Sequence, residues 1–284
     1  MSEGLKLRRH PGASVPSQYV PPKITDTATD AYRRESAALL AAEFRRLDLF
    51  ERVATLRRRV SGRIVFTTSF GLEDQAIAHA IFSQALAIDV VTLDTGRLFP
   101  ETHDVWSATE RRYGTRIHGF VPDRADLESL VARQGADGFR ASVDARLDCC
   151  ATRKVAPLAR ALKDGSAWIT GIRADQSRDR AQVAAVSFDA TRRLVKANPL
   201  FDWTREHTQA FVLTNHVPYN VLHDRGFLSI GCAPCTRAVA PGETERAGRW
   251  WWERSEKKEC GLHLNSEGVI PADIPEPSSQ IAKD

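Results

Sequence analysis

Short apolar runs alternate along the chain with longer amphipathic stretches. Four runs rich in β-branched residues are typical of buried strands, at 64–68, 89–94, 116–121 and 167–171. Three stretches have apolar residues at helical spacing, at 74–86, 103–113 and 152–162. Strands separated by helices predict a parallel sheet with helices on both faces. We therefore expect an α/β fold with an open, mostly parallel sheet flanked by helices.

Two regions depart from this alternation. Apolar residues recur at helical spacing along 30–50 with arginine pairs on the opposite face, which predicts an amphipathic helix or a helix pair. Two short β-rich runs around Asp189 and Ala190 predict a hairpin within 181–197.

The two ends of the chain differ in composition from its middle. Residues 1–30 are rich in proline, serine and threonine, which favours a disordered N-terminal arm. Three consecutive tryptophans at 250–252 precede a charged stretch with a glycine- and proline-containing end. The chain has 284 residues, 42% of them hydrophobic, which is enough for one full core. We predict one α/β domain over 31–240 and a mobile C-terminal tail over 241–284.

Composition and charge narrow the class of protein only slightly. The chain has 40 Lys and Arg against 36 Asp and Glu, and a net charge of +4 does not by itself indicate nucleic-acid binding. The most apolar stretch, 76–93, is interrupted by His79, Gln84 and Asp89, whereas a membrane span needs about 20 apolar residues. The N-terminus lacks the apolar segment of a signal peptide. We expect a cytoplasmic protein that uses neither nucleic acid nor a membrane as a partner; a homo-oligomer is compatible with the sequence.

Five cysteines are the strongest chemical signal. An odd number in a reducing compartment favours metal binding or catalysis over a disulfide framework. Adjacent cysteines at 149–150 and a C-x₂-C pair at 232–235 supply four thiolates, which serve both zinc and iron–sulfur sites. The spacing alone favours neither metal. Cys260 stands apart in ECGLH and is a candidate nucleophile, with a surface thiol as the alternative.

Polar loops follow three of the predicted strands. In open α/β sheets ligands bind at the carboxyl ends of the strands. The loop 69–74 offers a hydroxyl, a glycine and free N–H groups at a helix start, which suit a phosphate or sulfate, although an ordinary turn capped by Asp74 fits equally well. The loops at 93–102 and 171–178 are also polar and contain glycine. We expect these three loops to meet at one edge of the sheet.

Seven segments occur in a fixed order between about residues 40 and 264: SFGLEDQ at 69–75, LDTGRLFPET at 93–102, CCATRK at 149–154, GIRADQSRDR at 171–180, NPL…W at 198–203, GCAPCTR at 231–237 and ECGLH at 259–263. Together they resemble the assimilatory sulfonucleotide reductases, and more closely the iron–sulfur adenylyl-sulfate (APS) reductases. The resemblance implies an adenine-nucleotide α-hydrolase-like fold of the PP-loop type.

The resemblance also implies the cofactor and the catalytic groups. It implies a [4Fe–4S] cluster with four cysteine ligands: Cys149, Cys150, Cys232 and Cys235. It implies a catalytic thiol at Cys260, with Lys154 facing the cluster and the substrate. The position of His263, three residues after Cys260, favours a role in adding positive charge beside the thiol, which Glu259 opposes.

Three groups of substrate-binding residues follow from the same motifs. Those expected to line the sulfonucleotide site are Ser69, Gly71 and Asp74, with Leu93 and Thr95 near the adenosine. Those expected to face the phosphosulfate are Arg173 and Gln176, and those expected to close the pocket from the C-terminal side are Arg237, Arg246 and Arg249.

The implied reaction is thioredoxin-dependent reduction of APS. The Cys260 thiolate attacks the sulfur, AMP leaves, and thioredoxin releases sulfite from the S-sulfocysteine. The nearest alternative is the same reaction on the 3′-phosphorylated substrate (PAPS), whose dedicated reductases lack the four cluster cysteines. A tRNA-thiolating ATP pyrophosphatase is opposed by Phe70 and Glu73, which replace the Ser-Gly-Gly-x-Asp-Ser loop of those enzymes. A non-catalytic iron–sulfur redox sensor is opposed by the ECGLH segment, which such a protein does not need. Ala174 stands where many relatives have a second arginine, which leaves one fewer contact to the anion.

Overall fold

A computed structural model describes residues 23–25, 28–253 and 262. Its centre is a six-stranded sheet in the order β3-β2-β1-β4-β6-β5. The strands are β1 Arg63–Thr68, β2 Asp89–Leu93, β3 His118–Phe120, β4 Gly165–Ile169, β5 Val186–Asp189 and β6 Leu194–Ala197. All neighbours pair in parallel except β5 and β6, which form the predicted hairpin. The predicted open, mostly parallel sheet is confirmed.

Eight helices lie in the described part of the chain: α1 Asp30–Phe44, α2 Leu49–Arg59, α3 Leu72–Ser83, α4 Pro100–Tyr113, α5 Arg124–Gln134, α6 Val143–Cys150, α7 Ala156–Ala161 and α8 Arg205–Thr214. Helix α1 confirms the amphipathic helix predicted within 30–50, whereas α2 begins only at Leu49 and extends beyond that stretch. A single π-helical turn, Ala151–Val155, joins α6 to α7. Helices α5, α6 and α8 were not predicted, because their apolar residues are too few to give a clear helical period. None of the described helices has the length and apolar character needed to cross a bilayer.

Side chains alternate between two apolar layers on the faces of the sheet. Ile64 and Phe66 of β1 pack into the larger layer, which contains residues of α1, α2, α3 and α8. Val65 and Trp168 face the smaller layer, together with residues of α7. Burial on both faces explains why these strands are continuous apolar runs rather than alternating ones.

The order of the strands creates the position of the site. From β1 the chain moves outward to β2 and β3, and it then returns to the other side of β1 with β4. Helices that follow strands on the two sides of such a point diverge, which opens a crevice at the carboxyl ends of β1 and β4. The loops after both strands are the polar, glycine-containing segments singled out in the sequence.

Candidate active site

A cavity of about 180 Å³ lies at the carboxyl ends of β1, β2 and β4. Its walls are formed by the loop that follows β1, by the end of β2, by the loop after β4, and by the segment 245–250. Leu262 also borders it. The site is therefore built on the rigid sheet and bordered by residues from near the C-terminus.

The loop after β1 is held in a strained conformation. Phe70 has a positive φ of 59°, which is uncommon for a bulky side chain. Its ring is buried and stacks on Trp106 with the ring centroids 5.7 Å apart. Packing in the core therefore holds a loop conformation that presents Ser69 and the N-terminus of α3 to the cavity.

Asp74 connects the start of α3 to this loop. Its carboxylate accepts hydrogen bonds from the Ser69 backbone N–H at 2.5 Å and from the Ser69 hydroxyl at 2.7 Å. Burial raises the pKa of Asp74 to about 7, although both hydrogen bonds act in the opposite direction. A Cβ on Gly171 would overlap this carboxylate, so a glycine is required where the loop after β4 approaches α3. Asp74 thus titrates near neutral pH at the edge of the cavity.

Arg173 joins three segments beneath the cavity. Its guanidinium is fully buried, lying 2.8 Å from a Glu73 carboxylate oxygen and 2.8 Å from a Glu245 carboxylate oxygen. Asp175 lies 3.2 Å away on the outer side. Burial is the strongest single influence and works to raise the pKa of Glu73, but the charge of Arg173 and the hydrogen bonds to the carboxylate together hold that pKa below its usual value. The pKa of Glu245 is raised, chiefly by burial and by the charge of Glu73. This ion-pair network fixes the segment that contains Glu245 against the start of α3.

Cationic side chains line the remaining wall: Lys154, Arg180, Arg246 and Arg249. Arg180 and Arg249 are almost completely buried. Buried cations next to helix N–H groups are a strong site for phosphate and sulfate oxygens, which accept charge-assisted hydrogen bonds. The cavity is therefore suited to an anionic ligand.

Four thiols that form no disulfide line a second cavity, which adjoins the first. Cys149 and Cys150 come from the end of α6, and Cys232 directly precedes the short 3-10 turn Ala233–Cys235, which ends with the fourth cysteine. Lys154 and Arg249 border both cavities. The thiols and the anion-binding wall thus belong to one continuous site.

The electrostatics of the thiols depend on their neighbours. Burial opposes ionisation of Cys232, but Lys154 and a hydrogen bond from Thr95, with Oγ1 3.3 Å from the sulfur, lower its pKa. Burial and the charge of Cys232 raise the pKa of Cys235 to about 11. Thiolates crowded in this way do not ionise together without a metal partner.

Within the described residues, no group of three or more His, Cys, Asp or Glu side chains is arranged around a single metal ion. The four thiols instead line one cavity, and this arrangement suits a cofactor with several metal atoms better than a single ion. Three buried donors on the same wall have no partner among the described residues: Arg153 Nε, Arg249 Nε and Trp250 Nε1. Unpaired buried donors are costly unless an acceptor is present. The donor set and these N–H groups fit a sulfur-rich, negatively charged cluster bound by four cysteines.

Comparison with known proteins gives the family. The phosphoadenosine phosphosulfate reductase domain matches residues 63–238. An adenosine 5′-phosphosulfate reductase of Agrobacterium fabrum is 49% identical over 250 residues, which cover 88% of this chain and 96% of that protein. A protein of the same name from Allochromatium vinosum is 52% identical over 200 residues, which cover 70% and 78% of the two chains.

The chain belongs to this reductase family.

The fold agrees with this assignment. A crystal structure of phosphoadenylyl-sulfate reductase from Candida auris, in complex with phosphate, superposes with a TM-score of 0.60 at 26% identity. The similarity covers 72% of this chain and 97% of that one. The PP-loop type of sheet implied by the sequence motifs is therefore the fold of this chain.

Nine of the predicted substrate-binding and catalytic residues line the main cavity: Ser69, Gly71, Asp74, Leu93, Thr95, Lys154, Gln176, Arg246 and Arg249. Arg173 and Arg237 are placed elsewhere. Arg173 is enclosed by carboxylates rather than lining the cavity, and Arg237 forms a bidentate ion pair with Glu243 at 2.7 Å near the surface. Cys260 and His263 lie outside the described residues.

The residues that border the cavity without having been predicted to bind the substrate include Arg180, His223 and Glu245. Arg180 lies within the motif GIRADQSRDR, which was a usable signal. His223 and Glu245 lie in segments without a recognisable pattern. Only the folded chain brings these two residues to the site.

Proposed function

We propose that the chain reduces adenosine 5′-phosphosulfate to sulfite and AMP in sulfate assimilation. The observation that carries the proposal is the basic cavity at the carboxyl ends of the strands, which is continuous with the four-thiol cavity through Lys154. The names of the relatives point to the same substrate.

The residues of the main cavity would bind and orient the substrate. The N-terminus of α3 and the Ser69 hydroxyl are suited to the phosphate, and the cationic wall is suited to the sulfate. Lys154, Arg246 and Arg249 would stabilise the negative charge that moves onto AMP as the bond to sulfur breaks.

The covalent step is assigned to Cys260. Its thiolate attacks the sulfur of the bound substrate, the S–O bond breaks, and AMP leaves with the bridging oxygen. The resulting S-sulfocysteine is then attacked by a reduced protein dithiol of the thioredoxin class, which regenerates the Cys260 thiol and releases sulfite while the dithiol is oxidised to a disulfide. This reaction needs reduced thiols, so we assign it to the cytoplasm.

The four thiols would hold the iron–sulfur cluster, which when bound adds a fixed electrostatic charge beside the substrate. Lys154 borders both cavities, so its ammonium can balance negative charge on either side. The two electrons pass through the Cys260 thiolate and are finally supplied by the reduced dithiol, so the cluster residues of this chain would bind and orient rather than react.

The second candidate is reduction of the 3′-phosphorylated substrate. The description of the matching domain and the Candida auris structure favour it. The four cysteines favour the unphosphorylated substrate, because dedicated reductases of the 3′-phosphorylated substrate lack them. Sulfite release by the anaerobically purified protein from each substrate decides between the two: preference for the 3′-phosphorylated substrate would contradict our proposal.

Two further measurements test the site. We expect four irons per chain in the purified protein and loss of iron in a Cys235→Ser variant; stoichiometric zinc without iron would contradict the cluster. Incubation with substrate and no reductant should add one sulfonate to Cys260, found by intact mass and peptide mapping. An active Cys260→Ser variant would contradict the covalent step.

Lys154→Ala should lower turnover much more than iron content. The matched control is Lys163→Ala, an exposed lysine just after α7. Equal turnover in the two variants would mean that Lys154 is only a solvated side chain.

A further inference from the structure

His223 borders the main cavity from a short 3-10 turn, Val221–Arg225. Its Nδ1 lies 2.8 Å from the carbonyl oxygen of Phe227. A carbonyl oxygen only accepts hydrogen bonds, so Nδ1 carries the proton and donates it. Nε2 of the neutral ring is therefore a hydrogen-bond acceptor.

This acceptor has no donor in the described part of the chain. Nε2 is buried, and no donor among the described residues reaches it. A buried polar atom without a partner costs about 1–3 kcal/mol, which favours a state in which a ligand supplies the missing donor. Burial and the nearby charge of Arg205 lower the pKa of His223, so the neutral, accepting form prevails at pH 7.

The turn that carries His223 is held rigidly. Asn220 Oδ1 accepts from the Leu222 backbone N–H at 3.0 Å, and its Nδ2 donates to Thr102 at 3.2 Å. The backbone N–H of Phe227 donates to the Leu222 carbonyl at 3.0 Å. The imidazole is thus oriented before any ligand binds, as a recognition group should be.

We infer that His223 is a specificity-determining residue whose Nε2 accepts a hydrogen bond from the nucleoside part of the bound nucleotide. The inference rests on the proposed function. The donor is a ribose hydroxyl or the adenine amino group, because ionised phosphate and sulfate oxygens only accept.

The test measures binding of AMP and of three analogues by calorimetry. The analogues lack one donor each: 2′-deoxy-AMP, 3′-deoxy-AMP and the 6-unsubstituted purine riboside monophosphate. The protein variants are His223→Asn, which can keep the donor to Phe227 but lacks Nε2, and His223→Phe, which keeps the ring shape and lacks both nitrogens. The control is His207→Asn, an exposed histidine on α8.

We expect both His223 variants to bind AMP about fivefold to tenfold more weakly than the wild type, while the control is unchanged. One analogue should bind the wild type and both variants equally, because its missing group is the partner of Nε2. Equal weakening for AMP and all three analogues, or no weakening, would overturn the inference. A loss of AMP affinity in only one of the two His223 variants would also overturn it.

Failure of the inference and failure of the proposed function give different results. A wild-type protein that releases sulfite from adenosine 5′-phosphosulfate, but shows no coupling between His223 and any analogue, contradicts the inference alone. A wild-type protein that neither releases sulfite nor binds AMP contradicts both.

Discussion

Replacement of Arg173 by methionine should destabilise the protein strongly, and acid should relieve much of the loss. The guanidinium has no exposed surface and neutralises two largely buried carboxylates, Glu73 and Glu245, which are 14% and 12% exposed. Removal of one partner from a buried ion pair typically costs about 3–5 kcal/mol, because the remaining charge stays buried. In a chain of this size that corresponds to a melting temperature lower by roughly 10 °C.

The dependence on pH follows from the same carboxylates. Without Arg173, burial raises the pKa of both glutamates above their unfolded value of 4.5. A carboxyl group with a raised pKa in the folded state contributes stability below its unfolded pKa and loses that contribution as the pH rises through its folded pKa. The loss of stability in Arg173→Met should therefore be larger at pH 8 than at pH 5.

Thermal unfolding of wild type and variant at both pH values is the assay. The matched control is Arg124→Met, because Arg124 is 90% exposed and pairs with Glu128 on the surface of α5. That pair should contribute less than about 0.5 kcal/mol at either pH. A loss below about 1 kcal/mol for Arg173→Met, or a loss that increases on acidification, would refute the account of the buried network.

Three further predictions concern the same site. Burial raises the pKa of Asp74 from 3.8 to about 7, so the wild type should lose stability relative to Asp74→Asn as the pH rises from 5 to 7, by up to about 1.4 kcal/mol per pH unit. The same change of melting temperature with pH in both proteins would contradict this. Gly171→Ala should weaken AMP binding, because the new Cβ overlaps the Asp74 carboxylate. The comparison is Gly71→Ala, whose Cβ meets its nearest atom at an ordinary 3.5 Å. Equal affinities of the two variants for AMP would argue against the steric explanation. Glu253→Gln should break the buried ion pair with Arg146, whose atoms lie 2.8 Å apart, and cost about 3 kcal/mol. Hydrogen exchange relative to the wild type should become faster in residues 247–253 and change less in β1. Unchanged exchange in residues 247–253 would mean that other contacts hold this segment.

The sequence by itself determined the class of fold and the location of the site. The apolar runs at 64–68 and 167–171 became neighbouring central strands, because strands buried on both faces need continuous apolar side chains. The polar loops after them lie at the crevice because all strand carboxyl ends of a parallel sheet share one edge. The pairs of cysteines indicated a metal group through their chemistry alone.

Only the tertiary structure decided which charged residues line the cavity. Arg173 and Arg237 belong to motifs, yet each is ion-paired away from the cavity, with Glu245 and Glu243 respectively. The partners of Arg173 are 100 and 72 residues away in the sequence, as Glu73 and Glu245. Hydrophobic periodicity and local spacing carry no information about such pairs, since a side chain's charge environment depends on segments that meet only when the chain folds.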